Sequence, residues 1–306
     1  MAILTNRMNI PQQIVSAIMR DPYSRGDADI SVTQLIQPPR IIELRRRHEK
    51  EIEEDASDRV WALLGQTCHK ILERSDDTGA FHEERISVEI EGWRVSGASD
   101  CYVTKQFNFE KGEYEEIAPT IRDYKLVKTM TADFPHPEWE EQTNLLAYLW
   151  RDKGFPVARL EIVTIYRDWS KVLYQRGNYP PAVQTHKQRL WDPEKQELFL
   201  RQRVILHKKA SELPENLLPL CTPEDQWRKP PKWAVMHPKK VKAVRLLNSN
   251  QEAEKYIADN FKNDKTHYIQ HRPSTPLRCQ MFCDVAPFCD QYRSEKEAET
   301  RQEKAA

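Results

Sequence analysis

The stretch "SGASDCYVTKQFNFEKGEYEEIAPTIRDYKLVK", residues 96–128, decides the fold of this chain. Both of its ends are rich in β-branched and aromatic residues, which favour strands, and a Lys-Gly pair at 111–112 lies between them as a turn. The pattern predicts a hairpin whose strands cover 93–104 and 116–127.

Three charged residues interrupt these strands: Asp100, Asp123 and Lys125. Residues two apart on a strand face the same side, so Asp123 and Lys125 share a face. If the strands pair, Asp100 lies beside Asp123, and the two carboxylates repel one another unless a cation lies between them. Oxygen ligands suit Mg²⁺ or Mn²⁺, and the Lys125 ammonium could orient a water or offset charge on a phosphate. The alternative is that all three are solvent-exposed charges of a hairpin.

The segments around the hairpin alternate between helical and strand patterns. A helix is predicted over 57–74, a strand over 84–91, a helix over 136–154 and a buried strand over 157–169. A long helix follows from 192 to 213. The order helix, three strands, helix, strand predicts an α+β domain with a mixed sheet.

Composition limits the class of protein. The chain has 306 residues, and Lys+Arg and Asp+Glu both number 47, so its formal net charge is zero. That balance argues against a histone-like coating of nucleic acid but allows a local basic groove. There is no apolar run of the ~20 residues that span a bilayer. The N-terminal residues lack the order of a secretory signal, so we expect a cytoplasmic protein with no membrane partner.

Four motifs together resemble the PD-(D/E)xK nuclease superfamily, in its RecB-like exonuclease branch. The stretches are "GQTCHKILE", "SGASD", "RDYK" and "EEQTNLLAYLW", and the resemblance covers about 57–167. It implies a restriction-endonuclease-like core that binds Mg²⁺ or Mn²⁺. Asp100 and Asp123 would be the metal ligands, Lys125 the catalytic lysine and His69 an accessory ligand. On its own, a histidine such as His69 on a mostly apolar helix is more often a packed, hydrogen-bonded residue than a ligand.

The same resemblance assigns further roles. The backbone carbonyl of Tyr124 would face the metal, and Gln142 and Tyr148 would contact DNA. The family places its tyrosine four residues after the glutamine, where this chain has Leu146. Glu84 is a further candidate for a supporting carboxylate. Ser99 stands in place of the proline for which the superfamily is named.

Three cysteines, Cys279, Cys283 and Cys289, are spaced C-x3-C-x5-C. Thiolates grouped this closely suit Zn²⁺ or an iron–sulfur cluster, although reduced free thiols are an alternative. Iron–sulfur members of the resembled branch have a fourth cysteine ahead of the nuclease core. Here that stretch, "IQPPRIIEL", has none, so Cys221 is the expected fourth ligand of a [4Fe–4S] cluster or a structural zinc.

These patterns predict a division into four parts. They are an N-terminal helical segment (1–56), a nuclease core (57–175), a C-terminal helical and cysteine-cluster region (176–292) and a flexible tail (293–306). Basic runs at 45–47 and 239–245 could contact phosphates, and Trp227 and Trp233 could stack on bases. Ordinary solvated charges and buried aromatic rings explain the same residues.

The expected function is metal-dependent cleavage of DNA by an exonuclease. It would act on linear DNA ends in recombination, repair or phage replication, with a recombination or single-strand-binding protein as a possible partner. The alternative is a non-catalytic DNA-binding or scaffold protein that retains the nuclease fold.

Overall fold

The computed structural model describes residues 3–21, 26–75, 79–133, 136–177, 179–262 and 265–305. The chain divides into two compact units, Met1–Leu218 and Pro219–Ala306. The main boundary therefore differs from the one expected at 175/176. Leu200 and Val204 of the long helix are fully buried in the same apolar core as the sheet, which places that helix in the first unit.

The first unit contains eight strands and seven helices among the described residues. The strands are β1 (Ile3–Thr5), β2 (Ile30–Ser31), β3 (Glu53–Asp55), β4 (Ala80–Ile90), β5 (Trp93–Asn108), β6 (Glu113–Val127), β7 (Arg159–Tyr166) and β8 (Val183–Gln188). The helices are α1 (Gln12–Met19), α2 (Val32–Leu35), α3 (Pro39–Arg47), α4 (Ala56–Leu72), α5 (Pro137–Asp152), α6 (Lys171–Gln175) and α7 (Pro193–Glu212), with 3₁₀ turns at Thr129–Asp133 and Glu215–Leu217.

A six-stranded mixed sheet forms the centre of this unit. Its order is β2-β5-β6-β7-β8, and β4 also pairs with β5. β4, β5 and β6 are antiparallel neighbours, β6 and β7 are parallel, and β7 and β8 are antiparallel. The predicted α+β class with a mixed sheet is confirmed. Glu91 and Gly92 connect β4 to β5 with φ of 52° and 72°, as the two positive φ values of a type I′ turn require.

Helix α5 packs closely against β5, behind the hairpin. Its apolar residues Leu145, Leu149 and Trp150 are buried in the main core. A Cβ on Gly97 would lie 2.6 Å from Leu146 Cδ2 and 3.0 Å from a Val32 methyl. The helix can therefore approach the strand only because residue 97 has no side chain, and this packing supports the strand just before Asp100.

Helix α4 forms as predicted, but its apolar face is mostly not buried. Its N-cap is Asp55, which accepts from the Ser57 N–H, and Ala56 is its one buried residue among those described. Trp61 is 52% exposed, and the Arg167 guanidinium lies 3.8 Å from the centre of its ring. This helix carries His69.

The second unit contains a small sheet, three helices and the cysteines. Its strands are β9 (Arg228–Lys229), β10 (Lys232–Met236), β11 (Arg245–Leu247), β12 (Tyr268–Arg272) and β13 (Thr275–Pro276). Its helices are α8 (Asn250–Asn260), α9 (Leu277–Met281) and α10 (Asp290–Ala305), with a 3₁₀ turn at Ala286–Phe288. β10 lies between β11 and β12 in an antiparallel sheet, and β9 pairs with β13.

The tail predicted to be flexible over 293–306 is helical instead. Helix α10 continues to Ala305, and residue 306 lies outside the described residues. Glu295 accepts from Gln226 Nε2 at 3.1 Å and forms an ion pair with Arg228. These contacts fix the first turns of α10 within the unit, and the helix extends from them.

None of the described helices has the length and apolarity needed to cross a membrane.

Candidate metal centre

The hairpin brings the two acidic residues together. Cys101 lies opposite Arg122 in the antiparallel pairing of β5 and β6, so Asp100 lies opposite Asp123. Asp123 is 1% exposed, and the Asp100 side chain is 11% exposed. The backbone N–H of Tyr124 donates to Asp100 Oδ2 at 2.6 Å, which fixes the orientation of that carboxyl group. The alternative of solvent-exposed hairpin charges does not describe these two carboxylates.

Lys125 and Gln142 complete the buried side of the site. Lys125 Nζ lies 2.6 Å from Asp123 Oδ2. Gln142, on α5, donates from Nε2 to Asp123 Oδ1 at 3.0 Å and accepts from Lys125 Nζ at 3.4 Å. One amide side chain therefore positions both the carboxylate and the ammonium. Gln142 lies in the site as expected, but it contacts the acidic and basic residues themselves.

The two carboxylates repel each other electrostatically. Burial and the charge of Asp123 raise the pKa of Asp100 to about 7, although His69 and Lys125 act in the opposite direction. Burial lowers the pKa of Lys125, but the charges of Asp123 and Asp100 outweigh it and the net shift is upward. The lysine therefore remains a cation.

The two carboxylates of this site fit metal ligands. Asp123 Oδ2 is buried and lies 2.6 Å from the Lys125 ammonium. Burial and repulsion from Asp123 disfavour the charged form of Asp100. A hard divalent cation bound between the two carboxylates would offset that repulsion.

His69 and Glu83 form the opposite side. His69 Nδ1 lies 3.1 Å from Glu83 Oε1 and 3.4 Å from Asp100 Oδ1. One ligand atom from each of these three residues lies within 4.8 Å of the other two. The hydrogen bond with Glu83 raises the pKa of His69, and the charge of Asp100 adds to the shift. His69 therefore contacts acidic groups, in the position expected of an accessory ligand.

The sequence pattern missed Glu83 and indicated its neighbour Glu84. Glu83 has φ of 51° within β4, in the left-handed region. A non-glycine residue held there costs on the order of 1–3 kcal/mol, and such residues cluster at functional sites. Glu83 lies opposite Asp100, because His82 pairs with Cys101 and Glu84 with Ser99. Residues directly opposite each other on antiparallel strands share a face of the sheet. The turn at Glu91 and Gly92 sets this register, so the register is the signal that distinguishes Glu83 from Glu84.

Tyr148 does not join this site. It packs against the main apolar core, and burial together with the charge of Glu197 on α7 raises its pKa. It follows Gln142 by six residues, which is about 240° around a helix, so the two side chains leave α5 on different faces. The predicted DNA contact at Tyr148 is therefore not supported by its position. Tyr124 bonds Asp100 through its N–H, and the role of its carbonyl stays a prediction.

The four predicted cysteines all lie in the second unit. Gln291, at the start of α10, accepts from the Cys221 N–H at 2.9 Å and donates to the Cys221 carbonyl at 3.0 Å. Burial, with smaller contributions from Asp225 and the other three thiols, raises the pKa of Cys221 to about 12. Burial and the charges of Cys283 and Cys289 raise the pKa of Cys279 to about 11. No disulfide joins these four cysteines in the described part of the chain, and a bound cation would be needed to stabilise them as thiolates.

Two arginines of the basic run at 45–47 make contacts within the first unit. Arg46 pairs with Glu43 at 2.7 Å, and Arg47 donates to the Leu213 carbonyl at 2.6 Å, beside the end of α7.

In the second unit, Trp233 is half-buried, whereas Trp227 is 51% exposed.

Neither a family model nor a curated protein sequence matches the chain. Among solved structures, the chain is similar to SSO0001 with a TM-score of 0.42 and 14% sequence identity, over 63% of this chain and 84% of that one. A similarity at this level carries no argument about the fold family or the function.

Proposed function

We propose that this chain is a metal-dependent DNA nuclease with a restriction-endonuclease-like core of the RecB-like type. The observation that carries the proposal is the pairing of Asp100 with Asp123 on adjacent strands, with the Lys125 ammonium 2.6 Å from a buried carboxylate oxygen. The succession α4, β4 to β6, α5 and β7 supports the core assignment.

The residues present fit a divalent cation. Asp100 and Asp123 would hold Mg²⁺ or Mn²⁺, with His69, Glu83 and the backbone carbonyl of Tyr124 as further ligands. Such an ion supplies Lewis-acid chemistry at a phosphodiester. Oxygen and imidazole donors around two repelling carboxylates are the ligand set that manganese and magnesium sites use.

The chain's own residues orient and stabilise the reacting groups. The neighbouring carboxylates keep Lys125 charged, so its ammonium can hold a water in line with the phosphorus or offset charge on the phosphate. Gln142 fixes Lys125 and Asp123 relative to each other, and the Tyr124 N–H fixes Asp100. This arrangement favours direct hydrolysis by positioned groups, without a covalent intermediate.

End-labelled linear DNA incubated with Mn²⁺ tests the proposal. We expect cleavage by the wild type and its loss in Asp123→Ala and Lys125→Ala. Asp152→Ala and Lys153→Ala are matched controls, because this exposed pair at the end of α5 has the same residue types and a 3.2 Å ion pair. Those variants should cleave normally. Absence of cleavage on both single- and double-stranded DNA would favour the scaffold alternative.

The proposed substrate is a linear DNA end, processed during recombination, repair or phage replication. A recombination or single-strand-binding protein would be the partner that supplies or receives the strand. Comparing cleavage of a closed circular plasmid with cleavage of the same plasmid after linearisation distinguishes the two kinds of nuclease. An exonuclease degrades only the linear form, whereas an endonuclease also cuts the circle.

For the cysteines, we favour a [4Fe–4S] cluster over zinc. Four sulfurs around one zinc, each about 2.3 Å from it, lie about 3.8 Å apart. Among the described residues, no three thiols lie within 4.8 Å of one another. A cluster with four irons holds its ligands farther apart than one ion does. Anaerobically purified protein should be brown with broad visible absorption, whereas colourless protein with bound zinc would support the other site.

A further inference from the structure

We propose that the second unit binds single-stranded DNA on one face of its three-stranded sheet. This basic face consists of Lys232, Leu246, Tyr268, Gln270 and Arg272. The choice of DNA as the nucleic acid rests on the proposed nuclease function. The surface itself is argued from charge, register and exposure.

The sheet carries positive charge without acidic residues. Residues 226–251 contain seven Lys or Arg and residues 265–283 contain three more, and neither stretch contains an Asp or Glu. The whole chain is balanced at 47 of each sign. The described acidic residues of the second unit lie outside these stretches, as in α8 and α10.

Nine of these ten cations have no carboxylate partner among the described residues. Arg228 forms an ion pair with Glu295. For the other nine, no carboxylate oxygen belonging to the described part of the chain lies within 4.0 Å. Lys232 donates instead to the neutral Asn248 side chain at 2.5 Å, and Arg272 lies 3.9 Å from Met236 sulfur. The positive charge is therefore available to an external polyanion.

Strand register assigns these residues to one face. Lys232 lies opposite Arg272, and Met236 lies opposite Tyr268. Leu246 lies opposite Ala234, which is two residues from both Lys232 and Met236 and so shares their face. The basic face thus has a pair of cations at one end of β10.

The other face of the sheet is covered. Trp233, Val235 and His267 belong to it by alternation, and Val235 is fully buried. Phe261, just after α8, stacks on His267 with ring centres 3.8 Å apart. Helix α8 therefore lies over that side. On the basic face, Ala234 and Met236 of the central strand are buried, whereas the flanking strands expose Leu246 and Tyr268 by 49% each.

Lysines continue the basic face beyond the strands. The connection from β10 to β11 begins after Met236, beside Tyr268, and carries Lys239, Lys240 and Lys242, all exposed. The exposed ring of Tyr268 therefore lies between two groups of cations. Lys232 and Arg272 are at one end of the five-residue strand β10, and the three lysines follow its other end.

Exposed aromatic rings distinguish a single strand from a duplex. The bases of a single strand can stack on aromatic side chains while its phosphates contact Lys and Arg. Besides Tyr268, the unit exposes Trp227 by 51% and Phe282 by 64%, with ring centres 5.5 Å apart and Arg278 5.4 Å from the Trp227 ring. Trp227 is held at φ of 50°, a strained backbone for an exposed aromatic residue.

Anisotropy of a labelled oligothymidylate in EDTA tests the surface without cleavage. The double variant Lys232→Glu with Arg272→Glu should weaken binding at least tenfold. It should also reduce the slope of log K against log salt by about 1.4, since each phosphate contact contributes about 0.7. Tyr268→Ala should weaken binding about tenfold and leave the slope unchanged. Lys255→Glu, an exposed lysine of α8, is the matched control and should bind like the wild type.

The outcomes separate this surface from the proposed function. Unchanged affinity in both the double variant and Tyr268→Ala overturns the surface, even if Mn²⁺-dependent cleavage is found. Loss of binding in those variants supports the surface, even if the protein cleaves no DNA. A duplex of the same length, or an acidic peptide, that binds as tightly as the oligothymidylate overturns the assignment to single strands. Thermal melting and visible absorbance equal to those of the wild type show that each variant is folded.

Discussion

Replacing Asp100 by asparagine tests whether burial and the nearby Asp123 disfavour the charged form of Asp100 in the metal-free protein. In the folded chain the pKa of Asp100 is raised from its ordinary value of 3.8 to about 7, by burial and then by Asp123. The folded state therefore holds this proton more tightly than the unfolded state does. The stability that this gives is fully present below about pH 4 and is lost as the pH rises through about 7.

The size of the effect follows from that shift. A rise of about 3 pKa units, at 1.36 kcal/mol per unit, corresponds to about 4 kcal/mol of unfolding free energy lost between these pH values. Asparagine has nearly the same shape, and its side-chain oxygen can still accept from the Tyr124 N–H. At about pH 8 in EDTA, Asp100→Asn should therefore be more stable than the wild type by up to about 4 kcal/mol. At about pH 4 the two should be nearly equal.

Urea unfolding at both pH values, with and without Mn²⁺, measures this difference. An ion that binds only the folded wild type adds about 2.7 kcal/mol when its concentration is 100 times the dissociation constant. Mn²⁺ should therefore reduce or reverse the advantage of Asp100→Asn. If the variant is less stable than the wild type at both pH values in EDTA, the charged form of Asp100 is not disfavoured in the folded state and the reasoning is refuted.

Three further variants test other parts of the structure. Gly97→Ala should lower the unfolding free energy by about 1–3 kcal/mol, because the new Cβ would lie 2.6 Å from Leu146. Gly65→Ala is the control in the middle of α4, where a Cβ would have no atom within 4 Å, and it should raise the unfolding free energy by about 0.5–1 kcal/mol. Urea unfolding of both variants and the wild type measures these differences. Gln142→Ala should slow Mn²⁺-dependent cleavage by about 100-fold with little loss of stability, and an unchanged rate would contradict its positioning role. Cys221→Ser should remove the visible absorbance of the purified protein, and retained absorbance would show that another residue is the fourth ligand.

The sequence predicted the parts of the fold that depend on local pattern. The hairpin and helix α5 are confirmed, because alternation, turn residues and an apolar helical stripe are properties of consecutive residues. The pairing of Asp100 with Asp123 did not follow from the turn alone. Asn108 lies opposite Glu113 beside the turn, and that register would place Asp100 opposite Ile121. A shift of register between Val103 and Lys105 brings Asp123 opposite Asp100 instead. The sequence pattern did not predict where the first unit ends. It depends on Leu200 and Val204 of α7 packing into a core made by distant strands.

The differences in the site have specific causes. Glu83, rather than Glu84, contacts His69 because the pairing of β4 with β5 places Glu83 opposite Asp100. Tyr148 leaves α5 on a different face from Gln142, and its predicted DNA contact stays a prediction. The tail was expected to fray because it is highly charged, but contacts of Glu295 with Gln226 and Arg228 hold its helix in place.

The central claim is that one divalent cation binds between the carboxylates of residues 100 and 123. Anomalous diffraction from Mn²⁺-soaked crystals of the whole chain measures this most directly. The account predicts a manganese peak in contact with oxygen atoms of both Asp100 and Asp123, with the Lys125 ammonium nearby. Full manganese occupancy elsewhere, with the 2.6 Å contact between Lys125 and Asp123 retained and no peak between the two carboxylates, would contradict it.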